Sequence, residues 1–259
     1  MPDTVAATKP RHLGAPPPLR DDCALFLDID GTLLELAPTP DRVQPDPALI
    51  AVLRVLAARL GGALALSTGR SIVDADRLFP GLTLPIAGQH GCERRRADGS
   101  TYVHPPPPQG LERLRVEIAA FAKRHEGLVL EDKGSTIALH YRAVPQLAPL
   151  VHRTLRTLAA ASGAAWSVQD GKRVAELRPA DRDKGAAIVD FMDEAPFRGR
   201  RPVFVGDDHT DEYGFAAVVR MAGCAVKVGP GPTAANYRLP DIGAVHAWLR
   251  AALPSTAPC

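Results

Sequence analysis

Two short stretches gather carboxylates in a way that calls for a cation. Asp28 and Asp30 close the apolar run Ala24-Leu25-Phe26-Leu27, and Asp207, Asp208 and Asp211 follow the apolar run Val203-Phe204-Val205-Gly206. Acids collected at the same edge of one sheet cannot all stay ionised unless positive charge lies between them. Mg²⁺ suits such a site, because it is hard, takes oxygen ligands, and binds a few carboxylates together with substrate phosphate oxygens. Two further residues fit a phosphate. Thr68 ends the run Ala63 to Thr68, where a hydroxyl and backbone N–H groups lie at a strand-to-helix turn. Lys184 opens a helix, where its cation opposes the helix dipole and needs a nearby anion. Singly, each reads as an ordinary cap, turn or solvated charge. In the order Asp-x-Asp-Gly-Thr, Thr, Lys, Gly-Asp-Asp-x-x-Asp they point to a site for a metal ion and a phosphate group.

The elements that must position these residues follow from periodicity and punctuation. Residues 23–29 read as a buried strand. The next segment reads as a helix, with Asp46 at its N-cap, Pro47 in its first turn and Gly61 at its exit. The run ending at Thr68 and the run Leu84 to Gly91 read as strands, with a helix from Ser71 to Phe79 between them. This alternation predicts a parallel sheet with helices on its faces.

After the four prolines Pro105 to Pro108 the pattern changes. Residues 110–125 read as a helix. Gly127 to Asp132 and Ser135 to Arg142 read as strands, the second with strict alternation of Ile137, Leu139 and Tyr141 against Ala138, His140 and Arg142. Residues 146–161 read as a helix, and Ala165 to Pro179 as a hairpin around Asp170-Gly171. The α/β pattern then returns: a helix with Asp183 at its N-cap, a strand into the second acid cluster, a helix over 211–221, a strand from Cys224, and a helix near 241–252.

The expected organisation is therefore a Pro-rich disordered tail at 1–20, an α/β core of 21–107 and 180–252, and an inserted α+β unit of 108–179. That insertion, lying between Thr68 and Lys184, is expected to cover the strand ends as a cap. A lid there would exclude water and read the non-reacting part of the substrate. Glu131, Lys133, Arg142, Lys172 and Glu176 are its candidate contacts. Carboxylates with no metal of their own suit sugar hydroxyls.

Composition narrows the classes. The chain has 259 residues, 46% hydrophobic and 23% charged, which suits a soluble globular protein. Thirty-one basic against 29 acidic side chains leave a net charge of +2, and aromatics make up 5%. Neither a nucleic-acid partner nor a membrane surface is expected. Cys23, Cys92, Cys224 and Cys259 show no metal-ligand spacing. They read as free thiols in a reducing cytoplasm. The amino-terminal residues resemble no secretory signal. A monomer is expected.

The four motifs resemble those of the haloacid dehalogenase (HAD) superfamily of phosphohydrolases. The resemblance implies a HAD-like Rossmannoid core with a C2-type cap. It further implies that Asp28 is the nucleophile and that Asp30 is the acid and base. Thr68 and Lys184 would then bind the transferring phosphoryl group. Mg²⁺ would be held by Asp28, the Asp30 backbone carbonyl and Asp207, with Asp208 and Asp211 in support.

The segments Gly88 to Arg95, Lys133 to Arg142, Gly171 to Pro179 and Arg201 to Glu212 are similar to those of bacterial trehalose-6-phosphate phosphatases. That resemblance implies that Lys133, Arg142, Lys172 and Glu176, with Glu131, His90 and Arg70, bind the disaccharide phosphate. Thr68 stands in Ser-Thr-Gly-Arg where many relatives have Ser-Gly-Arg, and it keeps a hydroxyl there. Another sugar-phosphate phosphatase, a hexose phosphomutase and a catalytically silent sugar-phosphate-binding protein are the alternatives that the residues leave open.

Overall fold

Strand β1 (Cys23–Leu27) is buried at all five positions. A strand apolar on both faces needs strand neighbours on its edges and helices above and below. The computed structural model, which describes residues 13–35, 46–105, 107, 110–171 and 173–254, supplies both. Strands β2 (Leu64–Ser67) and β3 (Ile86–Gly88) extend the sheet on one side of β1, with helices α1 (Pro47–Arg59) and α2 (Ile72–Leu78) as connections. The hairpin β4 (Glu93–Arg95) and β5 (Thr101–Val103) adds two antiparallel strands beyond β3.

A second unit follows: α3 (Leu111–Lys123), β6 (Val129–Asp132), β7 (Ile137–His140), α4 (Ala148–Ala161), β8 (Trp166–Gly171) and β9 (Val174–Pro179). The chain then returns through α5 (Lys184–Met192), β10 (Arg201–Gly206), α6 (Asp211–Arg220), β11 (Cys224–Val228), β12 (Tyr237–Leu239) and α7 (Ile242–Ala251). The large sheet has the order β12-β11-β10-β1-β2-β3-β4-β5, parallel from β12 to β3. Strand order reverses at β1, whose partners are β2 and β10. Ligands in open parallel sheets bind at such a switch point, beyond the carboxyl ends of the strands.

The small sheet, ordered β6-β7-β9-β8, is antiparallel throughout. One face packs on Leu114, Ile118 and Phe121 of α3 and on Val151, Leu155 and Ala159 of α4. The alternation in β7 puts Ile137 and Leu139 on that side. The other face carries the cross-strand row Glu131, Ala138, Glu176, Gln169. Ala138, Glu176 and Gln169 are buried although they lie opposite the helices. A polar face buried in this way must be covered by the rest of the chain.

Several local expectations match, and others need correction. Asp46 and Asp183 cap their helices as expected, each accepting a backbone N–H, and Ser71 and Asp241 cap two more in the same way. The first strand ends at Leu27, so Asp28 already lies beyond it. The hairpin does not turn at Asp170-Gly171: β8 runs through Gly171, and Arg173, at φ 66°, takes the left-handed position. Asp170 accepts hydrogen bonds from Arg156 and pairs with His152, so it serves the sheet rather than the turn. β4, β5 and β12 had no expectation; each is only three residues long. The expectation of a disordered tail does not hold for residues 13–20. Pro16 and Leu19 are buried, Trp248 Nε1 donates to Pro17 O, and Arg238 N donates to Gly14 O. Residues 1–12 lie outside the described residues. Among the described residues, no helix is long and apolar enough to cross a membrane.

Candidate active site

Parallel pairing of β2, β1 and β10 brings Thr68, Asp28 and Asp207 to one edge of the large sheet. Lys184, first residue of α5, reaches into the same place and is 2% exposed. Its Nζ donates to Asp28 Oδ1 at 2.7 Å and to Asp211 Oδ1 at 2.6 Å. Burial alone would lower the Lys184 pKa, but the two carboxylates outweigh it and hold the ammonium charged. Burial pushes the Asp28 carboxyl well above the usual carboxylate range, Lys184 pulls it back, and Asp211 and Asp207 push it up again. One lysine therefore does not balance these acids.

Ligand atoms of Asp28, Asp207 and Asp211 lie within 4.8 Å of one another. Asp28 Oδ2, Thr32 Oγ1 and Ser67 Oγ are buried without a hydrogen-bond partner. Of these, Asp28 Oδ2 belongs to the acid cluster, and a buried, unsatisfied carboxylate oxygen there is costly unless a ligand completes it. Gly31 makes the approach possible. Its φ of +89° is left-handed, and a Cβ there would stand 2.2 Å from Asp207 Oδ2. The donor set is all oxygen and anionic, which fits a hard divalent cation.

Asp30 is held differently. Arg70 Nε and Nη2 donate to its two oxygens, both at 2.6 Å, in a bidentate fork. Arg70 was expected to touch substrate; the structure gives its guanidinium to Asp30. Thr68, 1% exposed, accepts from Arg70 N at 3.1 Å, so its hydroxyl also sets the loop. Asp208 stands apart from the three-acid group, since its Oδ1 accepts from His209 N and lies 2.7 Å from His209 Nδ1. Burial opposes ionisation of Asp208, but His209's hydrogen bonds and charge prevail and hold the carboxyl below its ordinary range. The same contact raises the His209 pKa.

The polar face of the small sheet meets this edge through Glu176. Its Oε1 accepts from Thr136 Oγ1 at 2.5 Å, while Oε2 lies 3.5 Å from Lys133 Nζ and 3.8 Å from His90 Nε2. His90 follows β3 with φ 55°, and its ring occupies the space where a Cβ on Gly69 would sit, 2.6 Å away. Burial, together with Lys184, Lys133 and Arg178, drives its pKa well below the usual value, so the ring is neutral. Glu131 pairs with His140 at 2.8 Å, and that hydrogen bond lowers its pKa. Arg142, just past β7, is exposed. Lys172 lies outside the described residues. The structure thus brings Asp28, Thr68, Lys184, Asp207 and Asp211 together, and separately joins Lys133, His90 and Glu176.

Sequence reasoning missed Thr136, Gln89, Gln169 and Lys227, all buried. Lys227 Nζ donates to Asp207 O and so fixes the backbone of the acid loop. A lysine within the otherwise apolar strand Cys224 to Val228 was the available signal for it. Thr136 and Gln89 lie inside segments that carry the family resemblance, but nothing in the sequence marked either as a partner of Glu176.

Comparisons with known proteins agree with this geometry. The family model described as Trehalose-phosphatase matches residues 26–242. A probable trehalose-phosphate phosphatase of Sinorhizobium fredii is 44% identical over 227 residues, 88% of this chain and 85% of that protein. The trehalose-6-phosphate phosphatase of Escherichia coli is 43% identical over 237 residues, 90% of this chain and 87% of that one. Among solved structures, the C-terminal domain of a C. albicans trehalose-6-phosphate phosphatase superposes with a TM-score of 0.75 at 18% identity, covering 92% of this chain and 98% of that chain. A haloacid dehalogenase-like hydrolase from B. subtilis shares the fold with a TM-score of 0.62 at 15% identity. With its acid-and-lysine cluster at the switch point of a Rossmann-like sheet and a capping sheet opposite, the chain belongs to the trehalose-phosphatase family of the HAD superfamily.

Proposed function

We propose that the protein is a Mg²⁺-dependent phosphatase that converts trehalose 6-phosphate to trehalose and inorganic phosphate. The observation that carries this reading is the buried Asp28–Lys184–Asp211 arrangement beside Asp207, facing a second sheet whose buried polar face presents Glu176.

In this reading Asp28 is the nucleophile. One carboxylate oxygen attacks phosphorus, the P–O bond to the sugar breaks, and an acyl phosphate forms on Asp28. Asp30 gives its proton to the leaving sugar oxygen, then takes a proton from the water that attacks the acyl phosphate, releasing phosphate and restoring Asp28. Arg70 aims the Asp30 carboxyl for both steps. Lys184 and Thr68 hold the phosphoryl oxygens and stabilise their charge. Asp28, Asp207 and Asp211, with the backbone carbonyl of Asp30, would hold Mg²⁺, which when bound neutralises the repulsion between carboxylate and phosphate. Glu176, Lys133, Glu131, Arg142 and Lys172 read the hydroxyls of the disaccharide.

The test is phosphate release from trehalose 6-phosphate, sucrose 6-phosphate, mannose 6-phosphate and glucose 6-phosphate, with Mg²⁺ and with EDTA. Release confined largely to trehalose 6-phosphate and abolished by EDTA is expected. Strong preference for another sugar phosphate, or full activity in EDTA, refutes the reading. Isomerisation of a hexose phosphate stimulated by a bisphosphate, with little free phosphate, would assign a phosphomutase instead.

A further inference from the structure

We propose that Thr136 and Gln89 are positioning residues that fix the plane of the Glu176 carboxylate and so aim its free oxygen at the sugar, setting discrimination for a substrate carrying a second sugar ring. The inference rests on the reading of Glu176 as a sugar contact.

Thr136 is fully buried just before β7, where a hydroxyl is costly unless paired. Its Oγ1 donates to Glu176 Oε1 at 2.5 Å. A hydroxyl has one proton and two lone pairs, so donation to Glu176 leaves it able to accept. Gln89 supplies an amide, its Oε1 lying 3.5 Å from Thr136 Oγ1. Oxygen and nitrogen of an amide are assigned by their partners, and turning this one end for end places an NH₂ donor against Thr136. The chain then runs from Gln89 amide to Thr136 hydroxyl to Glu176 carboxylate, each group donating to the next.

The two oxygens of Glu176 are thereby made unequal. Oε1 is taken by Thr136, while Oε2 has only the longer approaches of Lys133 and His90. Oε2 is the oxygen left to accept from a sugar hydroxyl. The terminal torsion of a glutamate is broad, so packing alone does not fix the plane of its carboxylate. The bond from Thr136 fixes it.

Gln89 ties that orientation to the chemistry. It sits in left-handed backbone at φ 46°, and its N–H donates to Arg70 O at 2.8 Å. Arg70 in turn grips Asp30. Strained backbone persists where surrounding structure over-determines it. Here the strain holds one side chain under Thr136 while its backbone braces the loop of the proton-transfer pair. Glu176 is aimed only when the small sheet is seated on the large one.

The experiment measures kcat and KM on trehalose 6-phosphate and on p-nitrophenyl phosphate for Thr136→Val, Thr136→Ser, Gln89→Leu and Glu176→Ala. Thr136→Val should lower kcat/KM on the disaccharide phosphate by about tenfold or more, as expected for a lost hydrogen bond to a charged group. The loss should appear mainly in KM and fall far less on p-nitrophenyl phosphate. Thr136→Ser should restore most of the loss, Gln89→Leu should give a smaller loss in the same direction, and Thr136→Val should add nothing to Glu176→Ala. Unchanged disaccharide kinetics in Thr136→Val, equal losses on both substrates, or failure of Thr136→Ser to rescue overturns the proposal. If Glu176→Ala itself loses both activities equally, the reading of Glu176 is what fails; if Glu176→Ala is selective and Thr136→Val silent, only this inference fails.

Discussion

Replacing Lys184 with methionine isolates the electrostatics of the site. The side chain is 2% exposed and bridges Asp28 and Asp211, themselves 4% and 0% exposed, at 2.7 and 2.6 Å. Methionine keeps most of the volume and removes the charge. Removing one partner from a buried ion pair costs about 3–5 kcal/mol, because the remaining charge stays buried and uncompensated. Against a total stability of about 5–15 kcal/mol this is a large fraction. For a chain of this size each kcal/mol moves Tm by about 2–4 °C, so the loss corresponds to roughly 6–20 °C. The assay is thermal unfolding in EDTA, then with Mg²⁺ added. In EDTA Lys184→Met should unfold far below the wild type. Mg²⁺ should raise its Tm more than that of the wild type, since the cation meets one more uncompensated carboxylate. Asp28→Asn in the Lys184→Met background should recover part of the loss, as expected when one charge of a network is neutralised. A Lys184→Met protein that melts with the wild type in EDTA, or strictly additive effects of the two substitutions, would refute the charge argument.

Three further outcomes are expected. Asp30→Ala should nearly abolish phosphate release while leaving Mg²⁺ binding measurable by calorimetry, because the carboxyl lies in the Arg70 fork rather than in the acid cluster; normal turnover would remove Asp30 from proton transfer. Gly31→Ala should weaken Mg²⁺ binding, since its Cβ would overlap Asp207 and its φ is left-handed; unchanged calorimetric affinity would show that the loop adapts freely. Burial pushes the Cys92 and Cys224 thiols up to about 12. A pKa raised in the folded state gives stability that is whole below the ordinary thiol value and fades as pH rises toward the folded one. Tm should therefore fall between about pH 9 and pH 12, and Cys92→Ala should flatten that decline; a slope identical to the wild type would mean the thiol is not a contributor.

The core was readable because its signals are local and strong. β1 is apolar throughout, the helix caps are Asp or Ser at the expected places, and the acids follow the strands directly. β4, β5 and β12 escaped because each has three residues with polar or charged side chains among them, unlike the equally short but wholly apolar β3. Arg70 was read as a substrate contact, and only the fold shows Asp30 within its reach. Thr136 and Gln89 lie 47 positions apart and meet across two sheets, a distance over which sequence pattern is silent. The packing of residues 13–20 was hidden by prolines, which mark loss of regular hydrogen bonding rather than loss of contact.

The bond from Lys184 to Asp28 spans 156 positions. During synthesis Asp28 leaves the ribosome early, yet its counter-charge and the β10 partner of its strand are made only after the whole inserted sheet. Chains emerge at about 5–20 residues per second, so the interval lasts on the order of ten seconds or more. A nascent chain can assemble β1, β2 and β3, but their carboxylate end stays without its lysine. The small sheet is therefore made before the acid end of the large sheet can close, and no truncated product that stops short of α5 has the lysine that pairs with Asp28.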